Sequence, residues 1–365
     1  MTTIKDYLTF YKNITFDEAP FNEMDNILFA ELSYLNWKNI VTSKKINLIE
    51  AISLYLNKRK KDDDTNLKRG ILENINIIKN SLRYANCYLS DYIKIVNKSQ
   101  QFGALCIYIN SKTLYVSFEG TDGTIIGWKE DFMMTYTFPI ESQKSAINYL
   151  NDVYKSNLKT IYVGGHSKGG NLAVTASMFV KKTVKDKIKT IFSNDGPGFM
   201  KEIFDSKEFQ GIKDKIKLFI PQGSVVGQLM YNAKITKVVH SNRIALFDHD
   251  CNTWECFGPY LIETVSNPKS INVNKKTQKW LAEYDQEKRH KMIDTIFTIL
   301  EECNIERVQD LEQLNYDKVK NIILHTKNAD DETKTLILNS LKQLLLKQKK
   351  VNNQQNSELI NKNRQ

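Results

Sequence analysis

The 365-residue sequence contains few of the residues that mark disulfide-stabilised or fibrous proteins. It holds five cysteines, six prolines and 15 glycines. The cysteines are odd in number and lack the paired spacing of a zinc site, so a disulfide scaffold and a collagen-like chain are excluded. No uninterrupted apolar run is long enough to cross a bilayer, and the first residues lack the apolar core of a signal peptide. We expect a cytoplasmic protein that could associate peripherally with a membrane.

Apolar and charged residues are both abundant. Apolar residues make up 41% of the chain, which is enough to bury a sizeable core. Lysine and arginine number 52 against 42 acidic residues, giving a net charge of +10. This excess favours a nucleic acid or an anionic membrane surface as a partner. Since no segment is typical of a nucleic-acid-binding module, we expect no nucleic acid and favour an anionic lipid surface, while the oligomeric state stays open.

The spacing of apolar residues divides the chain into four segments. From Phe21 to about Ile95 the spacing is helical. From about Ala104 onward, β-rich runs alternate with helical runs, which predicts a mostly parallel sheet with helices on both faces. After Pro268 the spacing is helical again. We predict a helical amino-terminal segment packed on the core (1–100), an α/β core (101–268), a helical carboxy-terminal appendage (269–347) and a disordered tail (348–365).

The most informative stretch is a G-x-S-x-G motif formed by Gly165, His166, Ser167, Lys168 and Gly169. A β-rich run precedes it and a helical pattern follows, which is the context of a nucleophile elbow in an α/β-hydrolase fold. Glycine is needed at both ends because a side chain there would collide with the neighbouring strand or helix. Ser167 is then the nucleophile, and the backbone N–H of Lys168 donates to the oxyanion. A glycine-rich turn that only packs, or that binds phosphate, is the alternative.

A serine nucleophile needs a base, and the chain has only five histidines. His166 lies beside the nucleophile and should point elsewhere, while His240 closes a β-rich run. His290 and His325 lie in the helical appendage. His249 follows the last strand of the core, where the order nucleophile, acid, base places the histidine of a hydrolase. We therefore predict His249 as the general base.

A segment ahead of the elbow resembles the class 3, fungal-type lipases. A strand end is followed by Gly120 and Thr121, and Trp128 and Asp131 come soon after. In that family the hydroxyl residue after the glycine donates to the oxyanion through its backbone N–H and its side chain. By position, the resemblance assigns this role to Thr121. Without the resemblance the segment is an ordinary turn.

The chain is also similar, over most of its length, to a bacterial branch of lipase-like α/β-hydrolases. The matching stretches are Asp6-Tyr7-Leu8, Pro20 to Asn26, the elbow from Gly165 to Asn171, Ser193 to Phe199, and His249-Asp250 followed by Trp254. The helical carboxy-terminal region is similar as well. This resemblance implies lipid acyl esters as substrates, in the form of phospholipid, lysophospholipid or acylglycerol.

The sequence departs from this branch at the residue that should complete a catalytic triad. The resemblance implies an aspartate after the strand at 215–221, but Gly223 stands in its place. Asp195, which follows the preceding strand, is our candidate acid because adjacent strand ends lie about 5 Å apart. Its alternative role is to form a turn. Support from Asp248 or Asp250, a Ser–His dyad, and a chain that has lost activity all stay open.

The sequence therefore predicts a serine hydrolase that cleaves carboxylic esters. The predicted residues are Ser167, His249 and Asp195 for catalysis, and Thr121 and Lys168 for the oxyanion. No metal or organic cofactor is expected, because Cys251 and Cys256 lack histidine or cysteine partners at ligand spacing and are interpreted as buried thiols. A catalytically weak or inactive binding protein on the same fold is the alternative from another class, and a soluble-ester hydrolase or peptidase is the alternative enzyme.

Overall fold

The structure, a computed structural model, describes residues 2–59, 66–243, 245–312, 314, 316–339 and 341–342. The chain forms two compact units. The first comprises Met1–Asp122 and Thr137–Glu283, and the second comprises Gly123–Tyr136 and the chain from Tyr284 onward. The helix Pro268–Glu283, which the sequence places in the carboxy-terminal appendage, lies in the first unit. The predicted tail at 348–365 lies outside the described residues.

An eight-stranded sheet forms the centre of the first unit, and its strands lie side by side in chain order. They are β1 (Ile46–Asn47), β2 (Tyr88–Val96), β3 (Gln101–Asn110), β4 (Thr113–Phe118), β5 (Thr160–His166), β6 (Ile188–Asn194), β7 (Ile216–Pro221) and β8 (Ile235–Val239). Strands β1 to β4 pair antiparallel, and β4 to β8 pair parallel. A separate hairpin pairs β9 (Cys256–Phe257) with β10 (Tyr260–Leu261). The predicted α/β-hydrolase fold class is confirmed.

Strand β2 corrects the prediction that the chain is helical from Phe21 to about Ile95. It pairs antiparallel with β3 along its length, with a register shift between Ser90 and Ile93. Most of its residues are half-buried rather than alternating between buried and exposed. The period of two that identifies a strand in sequence is therefore weak here, and pairing with β3 decides the conformation.

Helices cover both faces of this sheet. On one face lie α1 (Ile4–Tyr11), α2 (Glu23–Leu32), α3 (Leu48–Lys58) and α4 (Asn66–Lys79), and on the other lie α6 (Glu141–Asp152) and α7 (Lys168–Phe179). Strand β3 shows why: Leu105 and Ile107 belong to the core under the amino-terminal helices, and Ala104 and Cys106 to the core under α6 and α7. Alternate side chains thus fill opposite cores.

The remaining described helices are mostly short or belong to the second unit. They include α5 (Ile125–Met133), α8 (Lys182–Lys185), α9 (Lys201–Phe204), α10 (Lys207–Gln210), α11 (Pro268–Glu283), α12 (Gln286–Glu302), α13 (Val308–Glu312) and α14 (Tyr316–Thr326). In the second unit, Ile125 of α5 and Tyr136 share a core with Ile293 and Phe297 of α12. Among the described residues, no helix has the length and apolarity that a membrane span requires.

A buried ion pair anchors the amino-terminal helices near the sheet. Arg83 Nη2 lies 2.6 Å from Asp25 Oδ2, with both side chains fully buried. The hydroxyls of Tyr7 and Tyr84 also donate to Asp25 Oδ1, so the buried carboxylate is well satisfied. The next residue, Asn26, donates to Asn194 Oδ1 at the end of β6, at 2.9 Å. Helix α2 is thereby tied to the strand end that precedes Asp195.

Candidate active site

The carboxyl ends of three neighbouring parallel strands bring the predicted catalytic segments together. Phe118 of β4 pairs with Gly165 of β5, and His166 of β5 pairs with Asn194 of β6. Ser167 and Asp195 follow their strands directly, and Thr121 lies three residues after β4. The N–H of Ser167 also donates to the Asn194 carbonyl at 2.9 Å, so the segments that follow β5 and β6 stay side by side one residue beyond the sheet.

Ser167 lies in a tight turn between β5 and α7. Its φ is +56° and its ψ is −130°, a backbone conformation that residues other than glycine rarely adopt. A Cβ added at Gly165 would lie 2.4 Å from the carbonyl carbon of Gly169, and one added at Gly169 would lie 2.1 Å from the Phe118 oxygen. The predicted reason for the two glycines therefore matches the local packing, and Ser167 itself is only half-buried.

The carboxylate nearest the His249 ring is that of Asp195. His249 lies at the end of a 3₁₀ turn, Ala245–His249, and its Nδ1 lies 2.6 Å from Asp195 Oδ2. The histidine side chain is 28% exposed and the aspartate 1%, so the base is accessible while the acid is not. Because Nδ1–H donates to the carboxylate, Nε2 of a neutral ring carries the lone pair that can accept a proton.

The second oxygen of Asp195 is held by the loop after β7. Ser224 Oγ donates to Asp195 Oδ1 at 2.5 Å, and the N–H of Gly227 donates to the same oxygen at 3.0 Å. Asp195 also has a positive φ of 51°. The loop in which the resemblance places the acid thus supplies hydrogen-bond donors to an acid from the neighbouring strand. The hydroxyl of Ser224 at a neighbouring strand end was the sequence signal for this role, and sequence reasoning missed it.

Asp248 fills the space that a side chain at position 223 would occupy. A Cβ added at Gly223 would lie 2.1 Å from Asp248 Oδ2. Asp248 is 1% exposed, and its Oδ2 has no hydrogen-bond partner among the described residues. Burial, together with the charge of Asp195, raises the pKa of Asp248 to about 6. Asp250 is exposed and its Oδ1 accepts from the Asn252 N–H, so neither aspartate takes the place of Asp195 at Nδ1.

His166, beside the nucleophile, contacts the turn that bears the base. Its Nε2 lies 2.7 Å from the backbone oxygen of His249, and the two rings are 4.5 Å apart. A carbonyl can only accept, so Nε2 carries the proton and Nδ1 accepts from the Tyr34 hydroxyl at 3.1 Å. Burial and the neighbouring His249 hold the pKa of His166 well below its usual range. Trp254 Nε1 adds a second anchor by donating to the Asp248 carbonyl at 2.8 Å.

The side chain of Lys168 supports the segment that contains Thr121. Lys168 is fully buried, and its Nζ donates to the backbone oxygen and to Oε1 of Gln101, at 2.8 and 2.6 Å. Gln101 in turn donates through Nε2 to the Gly120 carbonyl at 3.1 Å. The lysine thus points away from the surface, and only its backbone N–H, at the start of α7, is available to an oxyanion.

Two acids bracket Thr121 and share one cation. Lys94 Nζ lies 2.6 Å from Glu119 Oε2 and 2.9 Å from Asp122 Oδ2. Burial alone would lower the pKa of Lys94, but these two carboxylates raise it, so the lysine stays charged. Because residues 119, 120 and 122 are all held, the backbone around Thr121 is positioned before any substrate binds. Sequence reasoning missed Lys94 and Gln101, since they lie on β2 and β3 respectively, far in sequence from the G-x-S-x-G motif.

The three remaining histidines, His240, His290 and His325, which are not predicted to be catalytic, each contact a neighbouring side chain. His240 Nδ1 lies 2.9 Å from Glu255 Oε2. In the second unit, His290 stacks on Tyr136, and His325 pairs with Glu302.

Comparisons with known proteins place the chain in a family. A family model described as Mbeg1-like matches residues 78–298, more than half of the sequence. Among solved structures, the chain is similar to one titled "Crystal structure of M37 lipase", with 14% identity, coverage of 62% of this chain and 70% of that chain, and a TM-score of 0.34. No curated protein matches the chain. The chain belongs to the Mbeg1-like family, a lipase-like family.

Proposed function

We propose that this protein is a serine hydrolase that cleaves lipid acyl esters with Ser167, His249 and Asp195. The observation that carries the proposal is the 2.6 Å contact between His249 Nδ1 and Asp195 Oδ2, because Asp195 follows β6, the strand paired with the one that leads into the strained turn of Ser167. The His249 ring also lies 4.5 Å from the ring of His166, the residue before Ser167, and a histidine oriented by a carboxylate is the group that activates a hydroxyl nucleophile within its reach.

The proposed reaction proceeds through an acyl-enzyme. Ser167 Oγ attacks the ester carbonyl carbon while its proton passes to His249 Nε2, and the carbonyl oxygen becomes an oxyanion held by Lys168 N–H and by Thr121. When this intermediate collapses, the bond to the alcohol breaks and the proton on Nε2 passes to the leaving oxygen. Water then repeats the sequence at the acyl carbon and releases the carboxylic acid. Asp195 stabilises the imidazolium in both halves.

Lipid esters are the proposed substrates because an apolar side chain is exposed beside the base. Phe247, two residues before His249 in the same turn, is 76% exposed, a costly position for an aromatic ring that meets only water. In the hairpin of β9 and β10, Phe257 and Tyr260 are paired across the strands and are 81% and 62% exposed. With the net charge of +10, these rings favour an anionic lipid surface.

Labelling by a fluorophosphonate probe tests the enzyme assignment. The wild-type protein should be labelled at Ser167, as located by peptide mass spectrometry, and Ser167→Ala should abolish labelling. His249→Gln should slow labelling strongly without unfolding the protein. Absence of labelling in well-folded wild-type protein would instead support a binding protein on a hydrolase fold.

Turnover of two substrate types separates the lipid proposal from a soluble-ester hydrolase or peptidase. The proposal expects faster hydrolysis of phospholipid vesicles than of short-chain nitrophenyl esters, with a rate that rises with anionic lipid content and falls with salt. Phe247→Ser should reduce turnover of vesicles while leaving that of a short-chain ester nearly unchanged. A preference for the soluble ester, or equal loss on both substrates, contradicts the lipid assignment.

A further inference from the structure

Three side chains with metal-ligating atoms meet beneath the base. They are Glu31 of α2, His166 of β5 and Cys251, and one ligand atom of each lies within 4.8 Å of the other two. All three residues are buried, with at most 5% of their surface exposed. They are far apart in sequence, so spacing could not reveal them, and the sequence interpretation of Cys251 as an isolated thiol lacked these partners.

His166 presents its unprotonated nitrogen to this cluster. Its Nε2–H donates to the His249 carbonyl, so Nδ1 carries a lone pair, and Glu31 Oε1 lies 3.7 Å from that nitrogen. Metal-binding histidines are typically oriented in this way, with the second ring nitrogen donating to a carbonyl or carboxylate. The Tyr34 hydroxyl, 3.1 Å from Nδ1, donates to it when no ion is bound, and with an ion bound only its proton must rotate away from Nδ1.

The distance between His166 and Glu31 also suits a shared ion. Glu31 Oε1 lies 3.7 Å from His166 Nδ1, too far for a hydrogen bond. Two ligand atoms of one tetrahedral zinc ion lie about 3.5 Å apart, given bonds of about 2 Å. Asn252 holds the carboxylate in place by donating to Oε2 at 2.9 Å, which leaves Oε1 facing the histidine. Burial raises the pKa of Glu31 to about 8 and holds that of Cys251 well above its usual range, so a divalent cation would have to displace a proton from each.

We propose that Glu31, His166 and Cys251 form a structural site for a zinc ion. The mixed carboxylate, imidazole and thiolate set is one that zinc accepts, with a water or the Tyr34 oxygen in the fourth position. The ion would connect helix α2, the strand that ends at the nucleophile, and the turn two residues after His249. It would therefore stabilise the relative positions of nucleophile and base without contacting substrate.

Titration with Co²⁺, a spectroscopic substitute for zinc, tests the site directly. Full-length protein is treated with EDTA, checked for native circular dichroism and titrated with Co²⁺. We expect one ion per chain, a near-ultraviolet absorption band from thiolate-to-cobalt charge transfer, and its loss on addition of Zn²⁺. Zinc at a hundredfold excess over its Kd should also raise the melting temperature by several degrees.

Variants assign the band to this cluster. Cys251→Ala should remove it, and Glu31→Gln, which preserves side-chain shape, should weaken ion binding at least tenfold. Cys87→Ala is the matched control, because Cys87 is equally buried in the same hydrophobic core. The proposal is overturned if folded wild-type protein shows no thiolate band, or if the band survives both variants. Because the readout is spectroscopic, either result leaves the hydrolase proposal untouched.

Discussion

The ends of β6 and β7 lie side by side, but they contribute different chemistry to the candidate site. The end of β6 carries Asp195, whose Oδ2 contacts His249. The end of β7 carries Gly223, and its loop donates two hydrogen bonds to Asp195 through Ser224 and Gly227. The carboxylate can therefore come from one strand when the next provides its donors. For the acid that orients His249, the strand that carries the carboxylate is therefore less important than the donors that surround it.

Two buried aspartates near these strand ends, Asp195 and Asp248, differ in their hydrogen bonding. Asp195 accepts hydrogen bonds on both oxygens, from Ser224 and Gly227 on one and from His249 on the other. Asp248 lies over Gly223 with Oδ2 unpartnered among the described residues, and its pKa is raised. One acid is thus fully hydrogen-bonded beside the base, and the other fills the space over Gly223.

Replacing Asp195 by Asn should lower kcat more than the other substitutions near these strand ends. The amide keeps the shape of the side chain but no longer favours the histidine tautomer with its proton on Nδ1, so kcat should fall roughly 10³- to 10⁴-fold with little change in KM. Steady-state hydrolysis of a nitrophenyl ester measures this. Asp248→Asn is the matched control and should keep most of the activity. If the two variants exchanged these results, the acid would be Asp248.

The pH dependence of stability should distinguish Asp248 from an ordinary carboxylate. Its pKa rises from 3.8 to about 6 on folding, so the folded chain binds the proton more tightly than the unfolded chain. Stability is therefore lost as pH rises from about 4 to 6, by up to about 3 kcal/mol. Asp248→Asn removes this titration. Relative to wild type, it should gain up to that amount between pH 4 and pH 7 in urea unfolding.

Asp250→Asn provides the comparison for this experiment, because that carboxylate is exposed and hydrogen-bonds locally. It should change the pH dependence much less. An Asp248→Asn difference that stayed constant from pH 4 to pH 7 would show that Asp248 is not protonated in the folded protein near pH 5.

A double-mutant cycle should show that Gly223 and Asp248 share one space. Gly223→Ala places a Cβ about 2 Å from Asp248 Oδ2, so the carboxylate must move, and we expect destabilisation of about 1 to 3 kcal/mol. Removing the carboxylate first, as Asp248→Ala, should make the same glycine substitution nearly neutral. The coupling energy from urea unfolding measures the overlap. Additive effects would mean that the clash is relieved elsewhere.

Sequence reasoning succeeded where the signal is local. The elbow around Ser167 combines a motif with a strand before it and a helix after it, and β3 to β8 follow from alternating runs. Asp195 could be proposed because parallel strands bring their carboxyl ends together. Its catalytic role, like those of Ser167, His249, Thr121 and Lys168, stays a prediction until activity is measured.

The supporting contacts could not be predicted because they join residues far apart in the chain. Gln101 holds the segment before Thr121 only because β3 and β4 pair, and Lys168 reaches it only because α7 packs against that pair. The contact of His166 with the His249 carbonyl depends on where a 3₁₀ turn lies. A single sequence indicates which residues are chemically able to act, and packing selects their partners.

Ser224→Ala should have the smallest effect and is the finest test of the comparison between β6 and β7. It removes one donor from Asp195 Oδ1 but leaves Gly227 N–H and His249 in place. A hydrogen bond to a charged acceptor contributes about 1.5 to 3 kcal/mol, so kcat should fall roughly 10- to 150-fold, with KM unchanged. The control is Ser270→Ala, a buried serine that donates to the Ser224 carbonyl rather than to the acid. If Ser270→Ala lowered kcat as much as Ser224→Ala, the loop after β7 would act through its shape, and the donors it offers to Asp195 would be incidental.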